Sequence, residues 1–396
     1  MFNFHPICLS FAKMVLRKHH FFLTAVQHLV ICKKVSKAMK IDVLKFIEKL
    51  GFDEILKKRR EVAPVESLCV KEDEISENTK FDYFIVSPES SDLSGGKYAS
   101  AIFLFHGLNE RNWDKYLPWA ESLANNLKRP VILFPLSMHI NRSPVMWSDA
   151  RAMQRLIDEE YRDKPRAENL TFINYALSKR LQSDPFRFYL SGRETIYNVH
   201  QLMNDIRDGK HPLLSYDCRV DIFAYSIGAL MSQVLISSDV EGHFDNSKLF
   251  MFCGGALFNE MNGSSRMIMD GDTFRSLKNY FTTKFIFPQY EKRIIGDNLE
   301  NAFIAHIDKD LCKDRRESFY RKNSYRICII SLKNDTVIPT SGIRLALGKD
   351  AQHCIEEMDF PFKYSHENPF PEGEKIAAER KYHFEKVFSR AAEFLK

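Results

Sequence analysis

From about residue 80 onward, short unbroken apolar runs alternate with stretches whose apolar positions recur every three or four residues. Runs at 81–86, 101–105, 131–135, 220–223, 248–253, 326–332 and 354–360 read as strands, and the periodic stretches at 116–127, 194–206, 342–347 and 375–395 read as helices. Strands apolar on both faces suit a mostly parallel sheet covered by helices on each side. The expected fold class is therefore α/β, one catalytic domain over 80–396 with helical insertions at about 141–193 and 257–324. Those two connections are too long for simple crossovers and carry helical patterns of their own.

Upstream the pattern changes. Residues 41–50 place apolar side chains on one helical face and end at Gly51, so 39–79 is expected to be a helical lead-in. Residues 1–38 look foreign to the rest. Their apolar stretch, 19–32, is interrupted by Gln27 and His28, is too short to span a bilayer, and has no small-residue cleavage site before Lys33-Lys34. The expectation is an extension outside the fold with translation from Met39; a weak membrane-surface anchor is the other reading.

Charge sharpens this division. The formal charge is +5, but residues 1–60 hold 13 Lys and Arg against 4 Asp and Glu, leaving 44 against 48 in the remainder. The folded body thus carries no net basic field, which argues against nucleic acid as a partner. Lys57-Lys58-Arg59-Arg60 reads as a solvated helix end. The 8 cysteines show no Cys-x-x-Cys pair, and Cys253, Cys328 and Cys354 lie in apolar runs, as free thiols in a reducing compartment do. A cytoplasmic location without stable membrane insertion is expected. Zinc-ligand spacing, His-Glu-x-x-His and calcium loops are missing, so no metal and no cofactor is expected. Gly95-Gly96-Lys97 lacks the upstream glycine of a phosphate-binding loop and reads as a turn.

One strand end carries chemistry. Ala224-Tyr225-Ser226-Ile227-Gly228 closes the run 220–223 and opens a helical stretch. A small-x-Ser-x-Gly sequence there makes a nucleophile elbow, a turn so sharp that positions two before and two after the serine must be small. A serine needs an imidazole to accept its proton and an acid to orient that imidazole. Asp335 follows the apolar run 326–332, and His366 lies between the last strand and the last helix, giving the chain order Ser, Asp, His. Asp359 is the reserve acid, while His353 precedes a strand and His383 sits inside a helix. Expected oxyanion-hole donors are the backbone amides of Ile227, after the serine, and Leu108, after His106-Gly107.

These residues resemble the α/β-hydrolase superfamily over about 80–396. The segment 105–120 (FHGLNERNWDKYLPWA), with Trp147-Ser148-Asp149 and 364–370 (YSHENPF), looks like a bacterial α/β-hydrolase family known only as a domain of unknown function. The resemblance implies the α/β-hydrolase fold and a serine hydrolase activity, and leaves the substrate open. Ala224 departs from the commoner glycine.

The leading functional reading is a hydrolase of carboxylic esters acting on a small-molecule acyl substrate through Ser226, Asp335 and His366. Acyl transfer or peptide cleavage with the same residues, or a non-catalytic binding role, are the alternatives. Trp113, Trp119 and Trp147 suit either an acyl pocket or core packing. The excursion 257–324, rich in Met and Phe, suits either an apolar lid or an insertion covering the sheet edge.

Overall fold

The computed structural model describes residues 40–49, 68, 75–89, 96–239, 241–287 and 296–396. The expectations for residues 1–38 and for Lys57-Lys58-Arg59-Arg60 lie outside these. Eight strands form one sheet: β1 (Lys40–Ile47), β2 (Lys80–Ser87), β3 (Tyr98–Phe105), β4 (Val131–Leu133), β5 (Leu214–Tyr225), β6 (Leu249–Phe252), β7 (Ile327–Leu332) and β8 (Ile355–Met358). Their spatial order is β1-β2-β4-β3-β5-β6-β7-β8. β1 and β2 are antiparallel to their neighbours, and every pairing from β4 through β8 is parallel. The helices are α1 (Leu117–Leu127), α2 (Ala150–Glu160), α3 (Tyr175–Ser183), α4 (Phe186–Arg207), α5 (Ile227–Ser238), α6 (Gly271–Tyr280), α7 (Asn298–Ala305), α8 (Lys313–Asn323), α9 (Thr340–Leu347) and α10 (Ala377–Leu395). A mostly parallel sheet layered by helices, with a serine turn after its fifth strand, is the α/β-hydrolase fold.

Alternation along the central strands divides the core in two. Ala101, Phe103 and Phe105 of β3 join Val220, Ile222 and Ala224 of β5 beneath α4 and α5. Ile102 and Leu104 join Phe223 and Tyr225 on the opposite face, beneath α1 and α10. This is why both strands read as unbroken apolar runs: neither face meets water. The exception is Asp221 in mid-strand, fully buried. Arg129 meets it at 2.7 Å and the Lys248 amide donates to it at 2.8 Å, so its charge is paired and hydrogen-bonded.

The helical expectation for residues 41–50 is overturned over 41–47. Lys40–Ile47 is a strand paired along its whole length with β2. Its apolar residues fit both periods over so short a stretch. The deciding term is non-local: an eight-residue ladder on an open sheet edge outweighs a short helix with a costly nucleus. Phe46 then stacks on Phe81 at 4.9 Å and meets Phe134 edge-on at 5.5 Å. The sheet therefore begins at residue 40, well before the expected residue 80.

Elsewhere the expected elements occur, some shorter and some longer than their apolar patterns. The helix expected at 194–206 is the 22-residue α4, and the strand expected at 220–223 is the 12-residue β5. Cys218, Cys253, Cys328 and Cys354 are buried free thiols, and Cys312 is an exposed one. Among the described residues no helix is long and apolar enough to cross a membrane.

Candidate active site

β5 delivers the chain to Ser226 and α5 carries it away, so one residue must reverse the direction. Ser226 does so at φ 57° and ψ −122°, a conformation that costs an L-residue energy and needs the surroundings to impose it. Its amide donates to the Phe252 carbonyl at 3.3 Å, and its carbonyl accepts from Ala229 at 2.9 Å. Gly228 explains the small residue two positions on: a Cβ there would lie 2.7 Å from the carbonyl oxygens of both Phe105 and His106. The strand β3 and the helix α5 come that close.

The three residues expected to work together meet. Ser226 Oγ lies 2.7 Å from His366 Nε2, and His366 Nδ1 lies 2.7 Å from Asp335 Oδ2. The other Asp335 oxygen accepts from the amides of Val337 and Ile338, each at 2.9 Å. One oxygen is thus pinned by the turn after β7, and the second faces the imidazole. Acceptance by Asp335 assigns the proton to Nδ1 and leaves Nε2 to accept from the serine hydroxyl. All three side chains are buried. Tyr225 stacks on the His366 ring, with centroids 5.5 Å apart and planes 15° apart, and its hydroxyl donates to the His366 carbonyl.

The loop after β3 holds the remaining polar groups. His106 Nε2 accepts from the Leu136 amide at 3.0 Å, so its Nδ1–H donates to the Gly107 carbonyl at 2.8 Å. Burial pushes this imidazole well below its usual pKa, and the nearby His139 acts in the same direction. It is a neutral strut. The Gly107 amide donates to the Tyr116 hydroxyl at 2.9 Å, which donates to Glu110 at 2.7 Å. Lys115 pairs with Glu110, donates to the Glu367 carbonyl at 3.1 Å, and lies 4.7 Å from the Tyr225 ring centroid. Among the described residues, neither the Leu108 nor the Ile227 amide donates to a protein acceptor. A cleft of about 210 Å³ lies above Ser226, bounded by Gly107, Leu108, Lys115, Met267, His366 and Glu367. Leu108 and Ile227 also line a second cavity of about 60 Å³, whose mostly apolar walls include Leu177, Phe188, Leu230 and Phe303 and also carry Arg180 and Arg193.

Both long connections reach the cleft. Asn109 donates to the carbonyls of Ile173 at 3.1 Å and Met267 at 2.7 Å, and Ser265 bonds to Glu367. The excursion buries Phe274, Tyr280, Phe281 and Phe285 while Met267 remains half exposed at the rim. The reserve candidates lie elsewhere. Asp359 bonds to Asn334 and Tyr364, His353 is exposed, and His383 packs on Phe360. Trp113, Trp119 and Trp147 are buried in hydrophobic cores. Sequence reasoning passed over Glu110, Lys115, Tyr116 and Tyr225. A charged pair five residues apart beside a His-Gly loop was the available signal.

No curated protein matches the chain. Several solved structures do, at low identity. A bacterial heroin esterase is 10% identical with a TM-score of 0.46, covering 95% of this chain and 90% of its own. The esterase LipW from Mycobacterium marinum is 10% identical with a TM-score of 0.44, covering 99% and 91%. Carboxyl esterase 2 from the mycorrhizal fungus Tuber melanosporum is 11% identical with a TM-score of 0.43, covering 91% and 88%. A family model matches far more directly, over residues 15–396, and by that match the chain belongs to DUF6051, a family of unknown function.

Proposed function

We propose that this protein is a serine hydrolase of carboxylic esters. Ser226 is the nucleophile, His366 the general base and then acid, and Asp335 the group that orients His366. The observation that carries the reading is the unbroken hydrogen-bonded chain from Ser226 through His366 to Asp335, at a serine held at positive φ. Ser226 Oγ attacks the acyl carbon while its proton passes to His366 Nε2. The carbonyl oxygen becomes an oxyanion and takes hydrogen bonds from the Leu108 and Ile227 amides. Collapse breaks the ester C–O bond, and the imidazolium protonates the departing alcohol. Water, deprotonated by His366, then attacks the acyl-enzyme, releasing the acid and restoring Ser226. The mostly apolar cavity lined by Leu108 and Ile227 supports an acyl group with a hydrophobic portion.

The test is labelling by a fluorophosphonate, which needs an activated serine, beside hydrolysis of p-nitrophenyl esters of graded chain length and of peptides. Wild type should label and cleave esters, and Ser226→Ala should lose both by several orders of magnitude while staying folded. Equal labelling of Ser226→Ala would remove the nucleophile assignment. Turnover confined to peptides would replace the ester reading.

A further inference from the structure

Away from the cleft, at the far end of α5, two histidines and a carboxylate converge, with a second carboxylate beside one of the histidines. His200 projects from α4; Asp239, Glu241 and His243 lie on the segment that follows α5. One donor atom from each of His200, Glu241 and His243 falls within 4.8 Å of the others. His243 Nε2 is 2.8 Å from Glu241 Oε2, and His200 Nδ1 is 3.9 Å from Asp239 Oδ1. The His200 and His243 ring centroids are 5.4 Å apart.

The second observation is what these groups lack. His200 Nδ1, His243 Nδ1 and Asp239 Oδ1 are buried with no hydrogen-bond partner, and the His243 side chain is wholly inaccessible. Buried polar atoms are ordinarily satisfied, and an orphan costs stability. Four orienting contacts are already present. The Phe244 amide donates to Asp239 Oδ2 at 2.6 Å, Asn204 donates to Glu241 at 3.1 Å, and Arg207 donates to the Glu241 and Gly242 carbonyls at 3.3 and 3.0 Å. Arg207 is thereby occupied with backbone oxygens. A cavity of about 280 Å³ touches Gly242 and His243.

We propose that His200, Glu241 and His243 form a zinc site, with Asp239 beside His200. Two imidazole nitrogens with a carboxylate make a mixed N/O set that suits zinc; calcium and magnesium take oxygen ligands. Three protein donors converge there, and α5 separates the site from Ser226 by roughly 18 Å of helix. The ion's role is to tie α4 to the segment leaving α5. The absence of local metal-ligand spacing in the sequence does not count against it, because His200 reaches the others only through the fold.

The untagged full chain, stripped with chelator, is dialysed against zinc chloride and its metal content measured, with thermal melting in zinc or magnesium. Wild type, Ser226→Ala and His366→Ala should each bind one zinc, and zinc but not magnesium should raise the melting temperature. His243→Gln and Glu241→Gln should each weaken zinc binding by at least about tenfold. Glu241 is exposed, so Glu241→Gln carries the test if His243→Gln fails to fold, with circular dichroism reporting which has occurred. No zinc binding at micromolar concentrations would overturn the proposal, as would undiminished binding in the folded variants. Loss of binding in His366→Ala alone would place the zinc at the other site and overturn it equally. None of these outcomes depends on ester turnover.

Discussion

Tyr116 does two jobs with one oxygen: it accepts from the Gly107 amide and donates to Glu110. Tyr116→Phe would leave the buried Gly107 N–H unsatisfied, at a cost of about 1–3 kcal/mol. Urea denaturation should show that loss, with slower fluorophosphonate labelling as the Leu108 amide drifts. Gly228 allows a sharper expectation. Alanine there forces apart the carbonyls of Phe105 and His106, so Gly228→Ala should slow labelling at least tenfold. Unchanged labelling would mean that the close approach of β3 and α5 does not position the Leu108 amide. Gly107 is confined as well, because a Cβ there would press on the Tyr225 ring at 3.1 Å.

The two long connections are tied to each other as well as to the sheet. Asn174, fully buried before α3, donates to the carbonyls of Asn169 at 2.8 Å and Ser265 at 3.0 Å, and accepts from the Thr171 amide at 2.9 Å. Thr171 reaches across to the Arg266 carbonyl at 2.7 Å. Asn174→Ala removes one side of three partly buried bonds and should cost about 1–3 kcal/mol. Limited proteolysis should then cut faster near residues 264–268, with the sheet still protected. Equal cleavage rates would show that the rim is held by its aromatic packing alone. At the other edge, Phe46→Ala should cost about 3–5 kcal/mol by emptying the contact with Phe81 and Phe134. Chemical denaturation measures it. A cost under 1 kcal/mol would mean β1 contributes little to stability.

Histidines buried away from the cleft set how the whole fold meets acid. Burial lowers His139, His211 and His306 to about 4, whereas the unfolded chain titrates them near 6.5. Between those values the unfolded state binds more protons, so stability rises with pH across that window and is lost as pH falls through it. The melting temperature should therefore decline steadily below about pH 6.5 and be nearly flat above it. A flat profile down to pH 5 would mean that these imidazoles are protonated without strain in the native state.

Much of this was legible along the chain because its causes are local. Unbroken apolar runs mark strands buried on both faces, and Ala224-Tyr225-Ser226-Ile227-Gly228 marks a turn that only small neighbours permit. The meeting of Asp335 and His366 with Ser226 was readable because chain order maps onto strand ends in a parallel sheet. What local pattern leaves open is any choice settled by a distant partner. Residues 41–50 satisfy a helix and a strand alike, and the free edge of β2, 40 residues on, decided between them. Glu110, Lys115 and Tyr116 look like an ordinary polar loop until Tyr225 and Glu367 arrive from 110 and 252 residues away. His200 and His243 are unremarkable singly, and only the packing of α4 beside the end of α5 brings their rings together. Side-chain periodicity reports which face is dry, whereas juxtaposition depends on how the layers stack, and that information is spread over the whole chain.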